Sequence, residues 1–109
     1  MTDRSKKLLS DINQAILLIN LFLEGIDDFS DYAADLKTKS AVERQLGIIG
    51  DALNKYIQEG NLPLKYAQQI IAFRNRLIHA YDSIDDSIIW VTVYNHLPAL
   101  KTEIELLLG

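Results

Sequence analysis

Cysteine is absent from this chain of 109 residues, so neither a disulfide nor a thiolate metal site can form. Proline and glycine are scarce, at two and five residues, and they fall at separated points instead of in a linker. No low-complexity stretch and no internal repeat interrupts the pattern. Positive charge is not in excess: 11 Lys and Arg stand against 15 Asp and Glu, a net charge of -4. A protein that coats long stretches of nucleic acid needs many phosphate contacts, so the balance speaks against that class. It does not speak against a small cationic pocket on an acidic body. Long apolar runs are missing too. The longest near the start is Ala15 to Ile19, far below the roughly 20 residues that span a bilayer. The opening MTDRSKKLLSDINQ has no apolar signal segment. A soluble, cytoplasmic protein with no membrane partner is expected.

What is present is apolar material, 49% of residues, which argues against disorder. The length suits one domain, residues 1–109. Apolar spacing is helical throughout. A first helix is expected from about Asp3 to Glu24, stopping at Gly25. Leu8, Leu9, Ile12, Ile16, Ile19, Leu23 and Ile26 form its stripe, and Leu17, Leu18, Leu21 and Phe22 widen it. A helix apolar on more than one side needs more than one cover, and in a small domain a second subunit is a natural one. Residues 27–37 read as an irregular or single-turn segment. A second long helix is expected over Thr38 to Glu59, with Gly60 and Asn61 as its stop and with Gly47 and Gly50 where a neighbour could come close. A third starts at Pro63 and runs to about Ala80, and Asp82-Ser83 breaks the chain. A fourth covers Asp85 to Leu108, with Pro98 kinking it or loosening a turn near Tyr94. SIIWVTVY has strand-like composition, but its apolar spacing continues through Leu97, Leu100 and Ile104, which favours helix. The expected fold is all-α: an antiparallel, up-and-down four-helix bundle with a short extra helical turn, dimerising.

The third helix carries a polar seam, Arg74-Asn75-Arg76-Leu77-Ile78-His79-Ala80-Tyr81. Asn75 and His79 are four apart and Arg76 and His79 three apart, so each pair shares a face. At about 100° per residue, Arg74 and His79 sit roughly 140° apart. Convergence on one ligand takes a long arginine reach, a fraying helix end, or a second copy of the helix across an interface. In a two-fold dimer, residues near the axis appear twice. Two histidines then supply one general base and one general acid. Arginine forks match phosphate oxygens and stabilise added charge in the transition state. This is the inventory for cutting RNA without a metal. The same residues also fit a plain helix end, with His79 favourable at the negative pole and Arg and Tyr capping carbonyls or snorkelling.

The arrangement Arg74-Asn75-x-x-x-His79-x-Tyr81 resembles the R-x4-H-x-Y signature of the HEPN superfamily, the higher eukaryotes and prokaryotes nucleotide-binding domains. It is similar in particular to the HepT branch, small ribonuclease toxins encoded beside a minimal nucleotidyltransferase. Ala41-Val42-Glu43-Arg44-Gln45-Leu46-Gly47-Ile48-Ile49-Gly50-Asp51-Ala52 resembles that branch's AV-x-R-x-L-x-IIG-[ED]-A helix. Ile84-Asp85 and Trp90 followed by Leu97-Pro98 resemble its last helix. The resemblance covers nearly the whole chain. It implies a homodimeric all-α bundle, an endoribonuclease that needs no metal or other cofactor. By resemblance, Arg74 and His79 are catalytic, with Asn75 completing the set. Tyr81 is the residue on which a cognate nucleotidyltransferase antitoxin places AMP. That addition puts bulk and negative charge beside arginines meant for substrate phosphate. Ala80 stands where many relatives carry an acid, and Asp51 where glutamate is commoner.

Arg76 is a supporting candidate on the same face. Asp35 and Arg44 are candidates for a supporting polar pair, with surface solvation the plainer reading of each. Asp82, Asp85 and Asp86 read as a helix break and N-terminal signal before they read as metal ligands. His79 and His96 are the only histidines and lack a short metal spacing. Trp90 reads as core or dimer surface. Lys6, Lys7, Lys37 and Lys39 read as a solvated face that could also widen an RNA path. Two functions compete: a toxin-type endoribonuclease, and a non-catalytic module that binds a nucleotide or substrate and docks a nucleotidyltransferase. The acidic body favours local recognition of an exposed RNA loop or end over long duplex binding.

Overall fold

The computed structural model describes residues 1–79 and 85–109; Tyr81 and the expected break at Asp82-Ser83 lie outside the described residues. The described residues are all-helical, without a strand. Helix α1 spans Asp3–Phe22, α2 Phe29–Ala34, α3 Leu36–Gln58, α4 Ala67–His79 and α5 Asp86–Val91. A π-helical turn follows at Thr92–His96 and leads directly into α6, Leu97–Leu108. None of these helices is long and apolar enough to cross a membrane.

Local chemistry sets the helix ends. Thr2 caps α1, its hydroxyl accepting from the Ser5 N–H at 3.0 Å. Asp28 caps α2 through the Asp31 N–H, Asp35 caps α3 through the Thr38 N–H, and Asp85 caps α5 through the Ser87 N–H. Short carboxylates are good acceptors for these otherwise unpaired donors. Gly25 and Gly60, at φ 85° and 94°, end α1 and α3 in a left-handed conformation that glycine adopts without strain. The segment expected to be irregular or a single turn therefore holds one short capped helix.

Helix α4 begins at Ala67, four residues later than the Pro63 start expected from sequence. Tyr66 has φ 65°, outside helical space. The Lys65 N–H is drawn off to Glu103 Oε1 of α6 at 2.7 Å. Asn61 Nδ2 ties the preceding turn to the Tyr56 carbonyl and to Ser5 Oγ. Pro98 acts as expected. It has no N–H for the Tyr94 carbonyl, and its ring crowds that carbonyl. The backbone answers with a wider turn, closed by the Leu97 N–H bonding to the Thr92 carbonyl five residues back.

Helix α3 is central, packing against α1 on one side and α4 on the other; α1 also packs against α6, and α2 bridges α3 and α5. Leu9, Ile12, Ile16 and Ile19 of α1 meet Val42, Leu46, Ile49 and Leu53 of α3 in a buried core that Ile70 and Phe73 of α4 and Leu97, Leu100 and Ile104 extend. At α5, Trp90 packs among Phe29, Tyr32 and Tyr94, with ring centroids 4.4–6.1 Å apart. Lys39 of α3 pairs with Asp86 at the start of α5, 2.9 Å apart. Burial first, and the Asp86 charge second, push the Glu43 carboxyl beside them above its usual range. Among the expected core positions, Leu17 and Leu21 remain exposed on α1, at 45% and 55%.

Candidate active site

Of the polar seam, residues 74–79 lie on the last two turns of α4. Arg74 is rooted at the α3–α4 contact. Gly50 permits this: a Cβ there would collide with the Arg74 Cβ and lie 3.2 Å from the Ile70 carbonyl oxygen. Only a missing side chain lets the two backbones approach so closely. Gly47 has no neighbour within 4 Å of the same construction, so the close approach belongs to Gly50 alone of the pair. The Arg74 guanidinium is half-buried and shared. Nη2 donates to Asp51 Oδ1 at 3.4 Å, and Nη1 to Asn75 Oδ1 at 3.2 Å. Asp51 Oδ2 also pairs with Lys55 Nζ at 2.9 Å. The motif residues on α3 and those on α4 thus form one unit: Gly50 admits the arginine and Asp51 braces it.

Asn75, Arg76 and His79 are exposed. On the helix, Asn75 lies between Arg74 and His79, so its amide draws the guanidinium round toward the histidine side. Arg76 makes no ion pair among the described residues. Tyr81 lies outside the described residues.

Two supporting candidates do not join this constellation. Asp35 serves as the α3 cap, both of its carboxylate oxygens bonded to Thr38 at 2.8 and 3.1 Å. Those bonds hold its pKa below the ordinary 3.8. Arg44 is exposed and forms no pair with Asp35 among the described residues. The reason is geometric, since a carboxylate turned back onto its own helix start cannot also reach nine residues along that helix. Lys39, a candidate for a wider cationic path, is engaged by Asp86. Trp90 is half-buried in its aromatic cluster. Among the described residues no three acidic, histidine or cysteine side chains gather in a way that could hold a metal.

A groove of about 590 Å³ opens beside the seam, between α4 and the α5–π stretch. Gln69, Ala72, Phe73, Asn75 and Arg76 line one wall, and Ile88, Thr92 and His96 the other. Sequence reading missed the groove. A usable signal was there: Gln69, Ala72, Phe73 and Arg76 follow the spacing of one helix face, so the seam continues two turns toward the helix start. Nothing in sequence alone says that α5 stands off from that face.

The fold and the seam together define an all-helical bundle that presents an R-x4-H helix end. The chain belongs to the HepT-like family: the model described as "Ribonuclease HepT-like" matches residues 12–107. The chain is 36% identical over 108 residues to a protein named probable ribonuclease HepT from Thermococcus cleftensis, covering 92% of each chain. It is 32% identical over 107 residues to a candidate RNase of Methanocaldococcus jannaschii, covering 93% of this chain and 94% of the other. No solved structure matches it.

Proposed function

We propose that the protein is a metal-independent endoribonuclease, working as a homodimer of antiparallel, up-and-down bundles. In this reading it is the toxin of a pair whose antitoxin is a minimal nucleotidyltransferase. The carrying observation is the single unit made by Gly50, Asp51, Arg74 and Asn75 next to an exposed His79 on one helix end. Family membership and the ribonuclease names of the relatives support the reaction class.

In the dimer, two α4 ends face one cleft. One His79 takes the proton from a ribose 2'-hydroxyl, whose oxygen attacks the adjacent phosphorus. The other His79 gives a proton to the departing 5'-oxygen. The products are a 2',3'-cyclic phosphate and a 5'-hydroxyl, with no water or metal consumed in the step. Arg74, held by Asp51 and Asn75, meets the charge that builds on the phosphoryl oxygens. The shape of the chain supports a second subunit. Its shortest extent is 19 Å, about two helix diameters. That thinness leaves Leu17 and Leu21 of α1, Ile48 of α3 and Ile78 of α4 exposed. Silencing occurs at Tyr81: its phenol oxygen displaces pyrophosphate from ATP and carries AMP, which sets negative charge against the site arginines.

The test is purified protein incubated with RNA in EDTA. Wild type is expected to release cyclic-phosphate ends. His79→Ala is expected to lose roughly 10²–10⁴-fold in rate while keeping the dimer. An alanine variant as fast as wild type removes His79 from the chemistry. RNA left intact by wild type, together with tight nucleotidyltransferase binding, favours the non-catalytic docking module.

A further inference from the structure

We propose that the groove between α4 and the α5–π stretch is a subsite for one unpaired base of the RNA, belonging to a nucleotide next to the bond that is cut. The proposal rests on the ribonuclease reading. It follows from how the groove is built. Its near end is the seam itself, with Asn75 and Arg76. At about 100° per residue, His79 projects on this same side of α4, one turn further on. From Gln69 to Arg76 the helix rises about 10 Å, the scale of a nucleotide. The volume of about 590 Å³ lies within the range of small-ligand sites.

The two ends differ in chemistry. Arg76 offers a cation for a phosphate on a protein with net charge -4. Between the ends, Ala72, Phe73 and Ile88 give an apolar floor and sides on which a flat ring can lie. At the far end stand the Gln69 amide and the His96 imidazole, a donor–acceptor set suited to a base edge. His96 is held for such a task. Tyr66 stacks on it with ring centroids 4.3 Å apart and planes 14° apart. Its Nδ1 is buried with no hydrogen-bond partner among the described residues, so any contact with a base edge in the groove falls to the other ring nitrogen.

The π turn explains why His96 reaches the groove. Ile88, Thr92 and His96 are spaced by four. On an α-helix each such step overshoots a full turn by about 40°, so three residues would wind off the groove wall. The wider turn over Thr92–His96 rotates less per residue and counters the drift. The Thr92 hydroxyl is spent on the Ile88 carbonyl at 2.8 Å, so Thr92 serves as wall and not as reader. Tyr66 bears a left-handed φ of 65° where it stacks on His96. A base inside this groove has left its duplex partner, so single-stranded RNA is the expected substrate.

The experiment has two arms. In the first, isotope-labelled full-length protein is titrated with uridine 3'-monophosphate and adenosine 3'-monophosphate. The expected result is saturable amide shifts at Ala72, Arg76 and Thr92, abolished in Ala72→Leu, whose side chain fills the groove from an exposed helical position. In the second, cleavage of single-stranded RNA is compared. Ala72→Leu is expected to raise KM about tenfold with kcat within about twofold, the loss of one base stack. His96→Phe keeps the stack on Tyr66, removes both ring nitrogens, and is expected to change which base flanks the cut. If wild type cuts but Ala72→Leu leaves KM unchanged and His96→Phe leaves the base preference unchanged, the subsite is overturned and the nuclease stands. A wild type that cuts nothing removes the nuclease, and the titration still decides the groove. Ala72→Leu converting a dimer to monomer overturns the proposal in favour of a groove occupied by the second copy.

Discussion

Arg74 shows how one side chain is oriented by its neighbours. Its guanidinium is divided between Asp51, 3.4 Å away on α3, and Asn75, 3.2 Å away on its own helix. Both carboxylate and guanidinium are partly solvated, at 41% and 27% side-chain exposure, so the pair adds little to stability, on the order of 0–1 kcal/mol. Its contribution is orientation, which in the proposed nuclease sets the angle at which a phosphate is met. Asp51→Asn is therefore expected to leave urea denaturation within about 1 kcal/mol of wild type, and to slow RNA cleavage roughly 10- to 100-fold through a misplaced arginine. Equal loss in both measurements would make Asp51 a stability residue and remove it from the site.

At the scale of the element, the close α3–α4 contact depends on Gly50. Adding a methyl there forces Arg74 and the Ile70 carbonyl away, and because a backbone is involved the helix itself must shift. Gly50→Ala is expected to destabilise by about 1–3 kcal/mol, the cost of overpacking, and to lose cleavage through displaced Arg74. Gly47→Ala is the control. With nothing within 4 Å, it should gain about 0.5–1 kcal/mol from helix propensity. Denaturant midpoints of the two variants read the difference; the same sign for both would refute the contact as the cause. This pair also marks what was legible in the sequence. Helical periodicity found every long element, and Pro98 announced the turn near Tyr94, because both act through local backbone rules. The two glycines were placed on one stripe, but which of them meets a neighbour depends on the register of two packed helices. The α4 start was misplaced for a similar reason: Glu103, 38 residues away, takes the Lys65 N–H. That Asp35 caps α3 was not evident from sequence, because a cap and a cleft acid are the same residue type. The seam Arg74, Asn75 and His79 could be read directly, whereas the groove wall from Ile88 to His96 depends on how far α5 stands from α4.

For the whole molecule, the decisive question is whether one cleft draws its histidines from two chains. Within one helix Arg74 and His79 sit about 140° apart, while two copies about a two-fold axis offer each group twice. The two arrangements give different dose responses when wild type is diluted by an inactive subunit. Equal amounts of wild type and His79→Ala, unfolded together in urea and refolded, assort at random into about one quarter wild-type dimers, one half mixed and one quarter inactive. If each cut needs both imidazoles, the mixed dimers are silent and activity per total protein falls to about a quarter of wild type. If each chain carries a self-sufficient site, it falls only to about a half. Mass measurement by light scattering during chromatography must meanwhile give twice the 12.4 kDa of one chain. A value near one half, or a single-chain mass in an active preparation, would leave α4 to do its chemistry with one histidine. The exposed Leu17 and Leu21 would then need another partner.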